Sequence, residues 1–356
     1  MRLTFLATWA LLGASFWAAG ARGEPGPTPA APSFIAGVAL TPHYENPAER
    51  LTFDAMVDHV ADLGATHLSV VVQWSQADVR ASAIAPHPKE TQDEVVVRRI
   101  LRRARARGLQ TMVLPILWIE RRAEGEWRGT LQPTDRAAWW RSYRRFVLHF
   151  AALAEAEQAS LFSVGSELAS LETEAGRWRA LIAEVRGRFS GRLTYSANWD
   201  HYQEVPFWDA LDLVGLTGYH RLVPEPETVP EVPALAVVWT GVRNRLLRWR
   251  LGVGKPLIFT ELGYPSLREA AHRPWDHTGD RPVDLEAQRR CLAAFAAVWR
   301  EAPDLAGVFI WNAWGAGGPL DRGYTVRGKP AEAVVRDFFR ARRQASDPNS
   351  ERKLDR

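Results

Sequence analysis

The chain has 356 residues, of which 46% are hydrophobic and 24% charged, as expected for a globular protein of one or two domains. Its formal net charge is +4, carried mostly by arginines spread over helical patterns. The densest basic run, residues 98–108, has Ile100, Leu101 and Ala104 at helical spacing. This spacing favours the solvent-facing side of an amphipathic helix over a nucleic-acid-binding strip, so no nucleic-acid partner is expected.

The N-terminal segment has the features of an export signal. Arg2 precedes an apolar run that ends in small residues, with Ala19 and Ala21 suited to a signal-peptidase site. We expect residues 1–22 to be a signal peptide and residues 23–33 a Pro-rich linker, which predicts a secreted or periplasmic protein with no stable membrane insertion after removal of the signal. The alternative, a retained membrane anchor, requires about 20 apolar residues. Cys291 is the only cysteine, so no internal disulfide is expected.

From Phe34 onward, apolar runs alternate with amphipathic patterns. The apolar runs predict eight strands: Phe34 to Thr41, His67 to Trp74, Thr111 to Trp118, the run ending at Leu168, Leu193 to Trp199, Leu211 to Tyr219, Lys255 to Tyr264 and Leu305 to Trp314. Helical patterns follow most of them: the run ending at Gly64, residues 98–108, 134–157, a segment around Trp178, residues 239–251, 284–301 and a segment from Pro330. The fifth and sixth strands are joined by only a short connection.

This alternation predicts a single-domain α/β fold, a (β/α)8 TIM barrel over residues 34–343. A doubly wound sheet would also alternate strands and helices. However, the end of the first strand and the residues after it read GVALTPHY, which is not a glycine-rich phosphate-binding loop. This favours the barrel. The polar segment 344–356 is expected to be a disordered tail.

A lone glutamate lies at the end of two predicted strands, Glu167 after the fourth and Glu261 in the seventh. Neither has a basic neighbour in its own segment. The carboxyl ends of barrel strands meet at one mouth, so both carboxylates are expected there. Two facing carboxyl groups are the minimum set of catalytic groups for cleaving a glycosidic bond. A single such glutamate more often caps a helix or pairs with an arginine, but two at the required strands favour catalysis.

The strand ends are also rich in aromatic and amide groups, which suit the apolar faces and hydroxyls of sugars. The predicted substrate-binding residues are Trp74, Trp118, Asn198, Trp199, Tyr219, Trp311 and Trp314. Tryptophans within helical patterns are expected to pack the shell: Trp139, Trp140, Trp178, Trp239, Trp249 and Trp299. The histidines have no metal-ligand spacing, which disfavours a metal-dependent hydrolase, and no Gly-x-Ser-x-Gly motif occurs, which disfavours a serine hydrolase. Cleavage by two carboxyl groups requires no metal or organic cofactor, so none is expected.

The motifs VGSEL, TYSANWD, IFTELGYPS and FIWNAWGAGGPLDRGYTVRGKPAEAV occur in an order that resembles glycoside hydrolase family 113. The resemblance covers about Phe34 to Phe339 and implies a retaining β-mannanase-like enzyme with a polysaccharide or oligosaccharide substrate. It implies that Glu167 is the acid/base and Glu261 the nucleophile. The protein is expected to be a monomer. Two positions depart from the wider clan. Ser166 replaces the asparagine before the acid/base, with Asn198 a candidate for the amide role, and the third strand ends in LPILWIE instead of a basic or histidine-containing segment.

The resulting hypothesis is double displacement on a β-linked hexoside, with the two carboxyl groups about 5 to 5.5 Å apart. Tyr219 is expected to donate a hydrogen bond to Glu261, and Trp311 to form the floor of the central sugar subsite. The alternative is a non-catalytic glycan-binding or polysaccharide-export accessory protein on the same barrel. The two intact glutamates favour the enzyme.

Overall fold

The computed structural model describes residues 34–46, 52–226, 229–278 and 280–345. The predicted signal peptide and linker lie outside these ranges, as does the predicted tail apart from its first two residues. Those two residues belong to the last helix, which ends at Ala345.

Eight parallel strands form a closed barrel in chain order, in which β1 also pairs with β8. This confirms the (β/α)8 prediction. The strands are β1 Ile35–Leu40, β2 His67–Gln76, β3 Gln110–Ile119, β4 Leu161–Ser166, β5 Arg192–Ala197, β6 Val214–Thr217, β7 Leu257–Leu262 and β8 Leu305–Ile310.

Helices surround the barrel, and several begin at an aspartate whose side chain accepts a backbone N–H of the first turn. Asp135 and Asp284 accept from Ala138 and Ala287 at 2.9 and 2.8 Å, which satisfies donors that the helix itself cannot. Between β5 and β6 there are only two short 3-10 turns, as the short connection predicts. The helices are α1 Phe53–Asp62, α2 Glu94–Ala106, α3 Arg136–Ala156, α4 Ala169–Glu172, α5 Ala175–Arg186, α6 Val232–Val253, α7 Leu285–Trp299 and α8 Ala331–Ala345.

The core has two apolar layers, because successive side chains of a strand point to opposite faces. The larger layer lies between strands and helices and includes the tryptophans expected to pack the shell: Trp139, Trp140, Trp178 and Trp239 with Trp299, and Trp249 at its edge. The smaller layer fills the barrel interior with Ile35, Val71, Met112, Leu114, Ile116, Leu161, Leu213, Ile258 and Phe309. The interior is therefore a solid base beneath the mouth.

Gly37 on β1 makes room for the largest interior side chain. A Cβ at this position would lie 2.3 Å from the ring of Phe309 on β8, well inside van der Waals contact. The absence of a side chain on β1 is therefore required for Phe309 to fill the barrel.

Gly37→Ala should accordingly destabilise the fold by about 1–3 kcal/mol through overpacking. Gly176→Ala is the matched control, because that exposed position in α5 has no heavy atom within 4 Å of an added Cβ. Thermal unfolding should show a lower midpoint for the first variant and an unchanged or slightly higher one for the second. Equal midpoints would mean that Phe309 repacks freely and that the interior is not tightly filled.

Candidate active site

Glu167 directly follows β4, and its backbone turns sharply there. Its φ is +55°, in the left-handed region that residues other than glycine rarely adopt. Its backbone N–H donates to the carbonyl of Ser196 on β5 at 2.8 Å, which extends the pairing of the two strands past the end of β4. The side chain is buried and lies at the carboxyl end of the barrel.

Glu261 reaches the same end of the barrel through a register shift in β7. Phe259 and Leu262 both pack in the outer apolar layer although three positions separate them, so the strict alternation is broken between them. This irregularity directs Glu261 toward the mouth, where only 2% of the residue is exposed.

Tyr219, just beyond β6, donates its hydroxyl to Oε2 of Glu261 at 3.0 Å, which confirms the contact predicted from the sequence. Burial, reinforced by the charge of Glu261, raises the pKa of Tyr219 well above its ordinary value, so the phenol keeps its proton. The other oxygen, Oε1 of Glu261, is buried and has no hydrogen-bond partner among the described residues. One carboxylate oxygen is thus held in place while the other remains available.

Arg128 interacts electrostatically with both glutamates. It begins a 3-10 turn, Arg128–Thr130, in the loop after β3, and its Nη2 forms an ion pair with Oε2 of Glu167. Burial lowers the pKa of Arg128, but the charges of Glu167 and then Glu261 outweigh burial and raise it. The absence of a basic neighbour in the Glu167 segment therefore does not leave this glutamate unpaired, since a distant loop supplies the arginine.

The pKa of Glu261 is raised to about 8, by burial first and by the charge of Glu167 second. Arg128 and the Tyr219 hydrogen bond act in the opposite direction. The two carboxyl groups are therefore coupled, and at neutral pH the protonated form of Glu261 is favoured. In this geometry, the ion pair with Arg128 favours the proton on Glu261.

Aromatic residues from three loops form a patch on one side of the mouth. The rings of Trp199, after β5, and Trp275, after β7, are nearly parallel at 6.2 Å, and His220 contacts Trp199 edge-on at 5.2 Å. The guanidinium of Arg221 lies 5.8 Å from the ring centre of Trp275, whose residue is 43% exposed. The patch thus presents a large aromatic surface to solvent at the carboxyl end of the barrel.

The remaining predicted binding residues have different surroundings. Trp118 contacts His87 edge-on, and Trp311 packs on the interior layer. Trp314 contacts both His43 and Tyr44 beyond β1. The amide of Asn198 is engaged in the protein, where Nδ2 donates to Asp200 at 2.8 Å and Oδ1 accepts from Trp199 and Thr217.

Trp74 lies away from the mouth. On β2, Leu68, Val70 and Val72 pack in the outer layer, and Trp74 continues that register onto Phe146 and His149 of α3. The sequence placed Trp74 near the end of a strand, but the two-residue period turns its side chain toward the helices. Trp74 therefore packs between β2 and α3 and does not line the mouth, contrary to the prediction that it binds substrate.

Three groups at the mouth were not predicted from the sequence: Arg128, Trp275 and Tyr324. The ring of Tyr324 lies 6.3 Å from that of Tyr219, and its hydroxyl donates to the carbonyl of Pro274. All three belong to long loops without periodic patterns, so the sequence offered no signal for them. The end of the third strand was interpreted as lacking a basic group, whereas Arg128 in the following loop supplies one. Within the described ranges, no cluster of His, Cys, Asp or Glu could hold a metal ion, and no helix is long and apolar enough to cross a membrane.

A closed barrel with coupled carboxylates at the ends of β4 and β7 has the architecture of a glycoside hydrolase. The model of Glycoside Hydrolase Family 113 matches residues 41–322, and the chain belongs to this family. No curated protein matches the chain.

Solved structures of the same family resemble the chain over nearly their whole length. A family 113 β-mannanase from Alicyclobacillus acidocaldarius is 26% identical with a TM-score of 0.76, covering 87% of this chain and 98% of its own. Another family 113 β-1,4-mannanase is 21% identical with a TM-score of 0.74, covering 86% and 99%. A family 5 mannosidase from Rhizomucor miehei shares the fold at 11% identity, with a TM-score of 0.57 and coverage of 92% and 96%.

The raised pKa of Glu261 predicts a cost in stability when this residue ionises. Since its folded-state pKa lies above the unfolded value of 4.5, folding stability should fall as pH rises from about 4.5 to about 8. Glu261→Gln removes that loss, so its unfolding midpoint should exceed the parent's by at least about 2 °C at pH 9. The gain should shrink toward pH 4. Glu301→Gln, at an exposed position, is the control, and an equal gain there would refute the assignment.

Proposed function

We propose that this protein is a retaining glycoside hydrolase that cleaves β-linked hexosides, with β-1,4-mannan or a related polysaccharide as substrate. The observation that carries the proposal is the pair of buried, electrostatically coupled carboxyl groups at the ends of β4 and β7. The mannanase activity named for the structural relatives supports the choice of sugar. The predicted export signal, which lies outside the described residues, would place the enzyme outside the cytoplasm, where such polymers are met.

In the first step, the carboxylate of Glu261 attacks the anomeric carbon while protonated Glu167 donates its proton to the departing oxygen. This forms a glycosyl ester on Glu261 and releases the shortened chain. In the second step, the carboxylate of Glu167 takes a proton from water, whose oxygen attacks the anomeric carbon and frees Glu261. Two inversions leave the product with the β configuration of the substrate.

The resting arrangement must change before this reaction begins. With Arg128 on Glu167, the proton is favoured on Glu261, whereas the first step needs it on Glu167. The productive form has the same number of protons, so the two forms interconvert without exchange with solvent. A sugar bound between the carboxyl groups would separate Arg128 from Glu167 and place the glycosidic oxygen beside the latter. Tyr219 favours the ionised form of Glu261 throughout.

Around the reacting bond, Trp311 would form the floor of the central sugar subsite, a role supported by its position on the interior layer just after β8. Trp199 and Trp275 offer stacking surface on one side, and Trp314 offers it on the side of β1. Aromatic faces of this kind bind the apolar faces of pyranose rings. Trp118, on the inward register of β3, completes the proposed surface.

The Arg128–Glu167 ion pair favours one second candidate, a glycan-binding protein without turnover, in which Glu167 stays charged. Purified protein incubated with mannan, glucomannan, xylan and aryl β-glycosides separates the two functions. Release of reducing ends from mannan is the expected result. Binding of a polymer without release of reducing ends would support the glycan-binding protein instead.

Azide rescue tests which glutamate is the acid/base and which is the nucleophile. Glu167→Ala should still form the glycosyl-enzyme from an aryl glycoside with a good leaving group, then stall because no base activates water. Azide needs no deprotonation, so it should restore turnover and yield a β-glycosyl azide. Glu261→Ala should lose turnover by about 10⁴-fold or more and yield only an α-glycosyl azide. The opposite pairing of variants and anomers would reverse the two roles.

Arg128→Gln tests the electrostatic control of the pair. Because the guanidinium lowers the pKa of Glu261, its removal should move the pH profile of kcat/KM upward by about one unit. Arg121→Gln changes an exposed arginine in the same loop, paired with Asp78, and should leave the profile in place. A profile for Arg128→Gln that overlays the parent's would show that Arg128 does not set the protonation of the carboxyl pair.

A further inference from the structure

The backbone that carries Glu167 is held by two successive residues of β5. The carbonyl of Ser196 accepts the N–H of Glu167 at 2.8 Å, and the hydroxyl of Tyr195 accepts the N–H of Leu168 at 2.8 Å. The left-handed conformation of Glu167 costs about 1–3 kcal/mol unless its surroundings impose it. These two bonds lie on either side of the turn and fix it.

Tyr195 is itself fixed by a carboxyl group from the same loop. Its hydroxyl donates to Oε1 of Glu172 at 2.6 Å, and both residues are completely buried. Because the hydroxyl has only one proton, donation to Glu172 leaves its oxygen free to accept from Leu168. Glu172 ends α4, five positions after Glu167. Tyr195 of β5 thus bonds to both ends of this segment, to the N–H of Leu168 next to Glu167 and to the side chain of Glu172.

Burial of Glu172 is compensated at only one of its two oxygens, Oε1, which accepts the hydroxyl of Tyr195. The second oxygen, Oε2, has no hydrogen-bond partner among the described residues, and the nearest basic atom, Nε2 of His201, lies 3.6 Å away. A buried carboxyl group with one unsatisfied oxygen costs stability. Its hydrogen bond from Tyr195 is the contact that connects it to the turn at Glu167.

We propose that Tyr195 and Glu172 are positioning residues that hold the carboxyl group of Glu167 in line with the departing oxygen. This rests on the proposed role of Glu167 as the acid. Neither Tyr195 nor Glu172 is proposed to contact the bound sugar. They act through the N–H of Leu168, and a small rotation at the left-handed turn would carry the Glu167 carboxyl away from the glycosidic oxygen. Misplacement by about 1 Å is enough to cost about 100-fold in rate.

Two substrates with the same glycone separate positioning from stability. Mannotriose has a poor leaving group that requires the acid, whereas dinitrophenyl β-mannobioside has one that departs without protonation. Tyr195→Phe should lower kcat/KM for mannotriose by about 10-fold or more and for the dinitrophenyl substrate by less than about 3-fold. A merely structural role would lower both by the same factor.

Tyr143→Phe is the matched control, because this buried tyrosine donates its hydroxyl to the carbonyl of Val164 in β4 at 2.9 Å. It should lose a comparable amount of stability and show no difference between the substrates. Glu172→Gln keeps an acceptor for Tyr195 and should retain most activity on mannotriose, whereas Glu172→Ala should reproduce the selective loss. These two variants decide the question if Tyr195→Phe does not fold.

Glu167→Ala distinguishes failure of this inference from failure of the proposed function. If Glu167→Ala shows the selective loss on mannotriose but Tyr195→Phe and Glu172→Ala do not, the positioning role is wrong and the acid assignment stands. If Glu167→Ala shows no selectivity, or the parent hydrolyses neither substrate, the proposed function is wrong and this inference falls with it.

Discussion

Repulsion between two buried carboxyl groups is the constraint on which the rest of the site depends. Glu167 and Glu261 lie at the carboxyl ends of β4 and β7, largely shielded from water, and the charge of Glu167 makes ionisation of Glu261 harder. Arg128 offsets this repulsion from one side and Tyr219 from the other. Glu261 therefore holds a proton at neutral pH in this arrangement, and the proposed first step requires a proton on Glu167 instead.

The barrel fold determines where the two carboxyl groups lie. The interior layer, filled by Phe309 over Gly37, closes the floor beneath the mouth. The irregularity in β7 turns Glu261 inward, while the left-handed turn after β4 does the same for Glu167. Glu261 is thus attached to a strand and Glu167 to the turn directly after one, whereas the loops supply Arg128 and the aromatic residues of the proposed sugar-binding surface.

The elements that depend on short-range pattern could be predicted from the sequence. The eight apolar runs, the short connection before β6 and the contact between Tyr219 and Glu261 were all predicted, because strand period and barrel topology determine them. Trp74 shows the limit of placing residues by strand ends alone, since the two-residue period turns it toward α3. The place of Arg128 could not be derived, because a loop of irregular backbone sets it.

The same limit explains the groups behind Glu167. Tyr195 lies in an ordinary apolar strand and Glu172 in a short polar stretch, and nothing in either segment indicates that their side chains meet. Their contact depends on the register between β4 and β5 and on a turn that the sequence does not mark with glycine. Long-range register and backbone strain are properties of the folded chain, so the structure was needed to find them.

The proposed mechanism requires Glu261 to become covalently bonded to the sugar. A 2-deoxy-2-fluoro-β-mannoside with a dinitrophenyl leaving group slows both steps and should accumulate the glycosyl-enzyme. Mass spectrometry of the digested protein should find one added fluorosugar on the peptide that contains Glu261, and none on the same peptide of Glu261→Gln. A label on Glu167, or full turnover of mannan by a protein that is never labelled, would show that Glu261 is not the nucleophile.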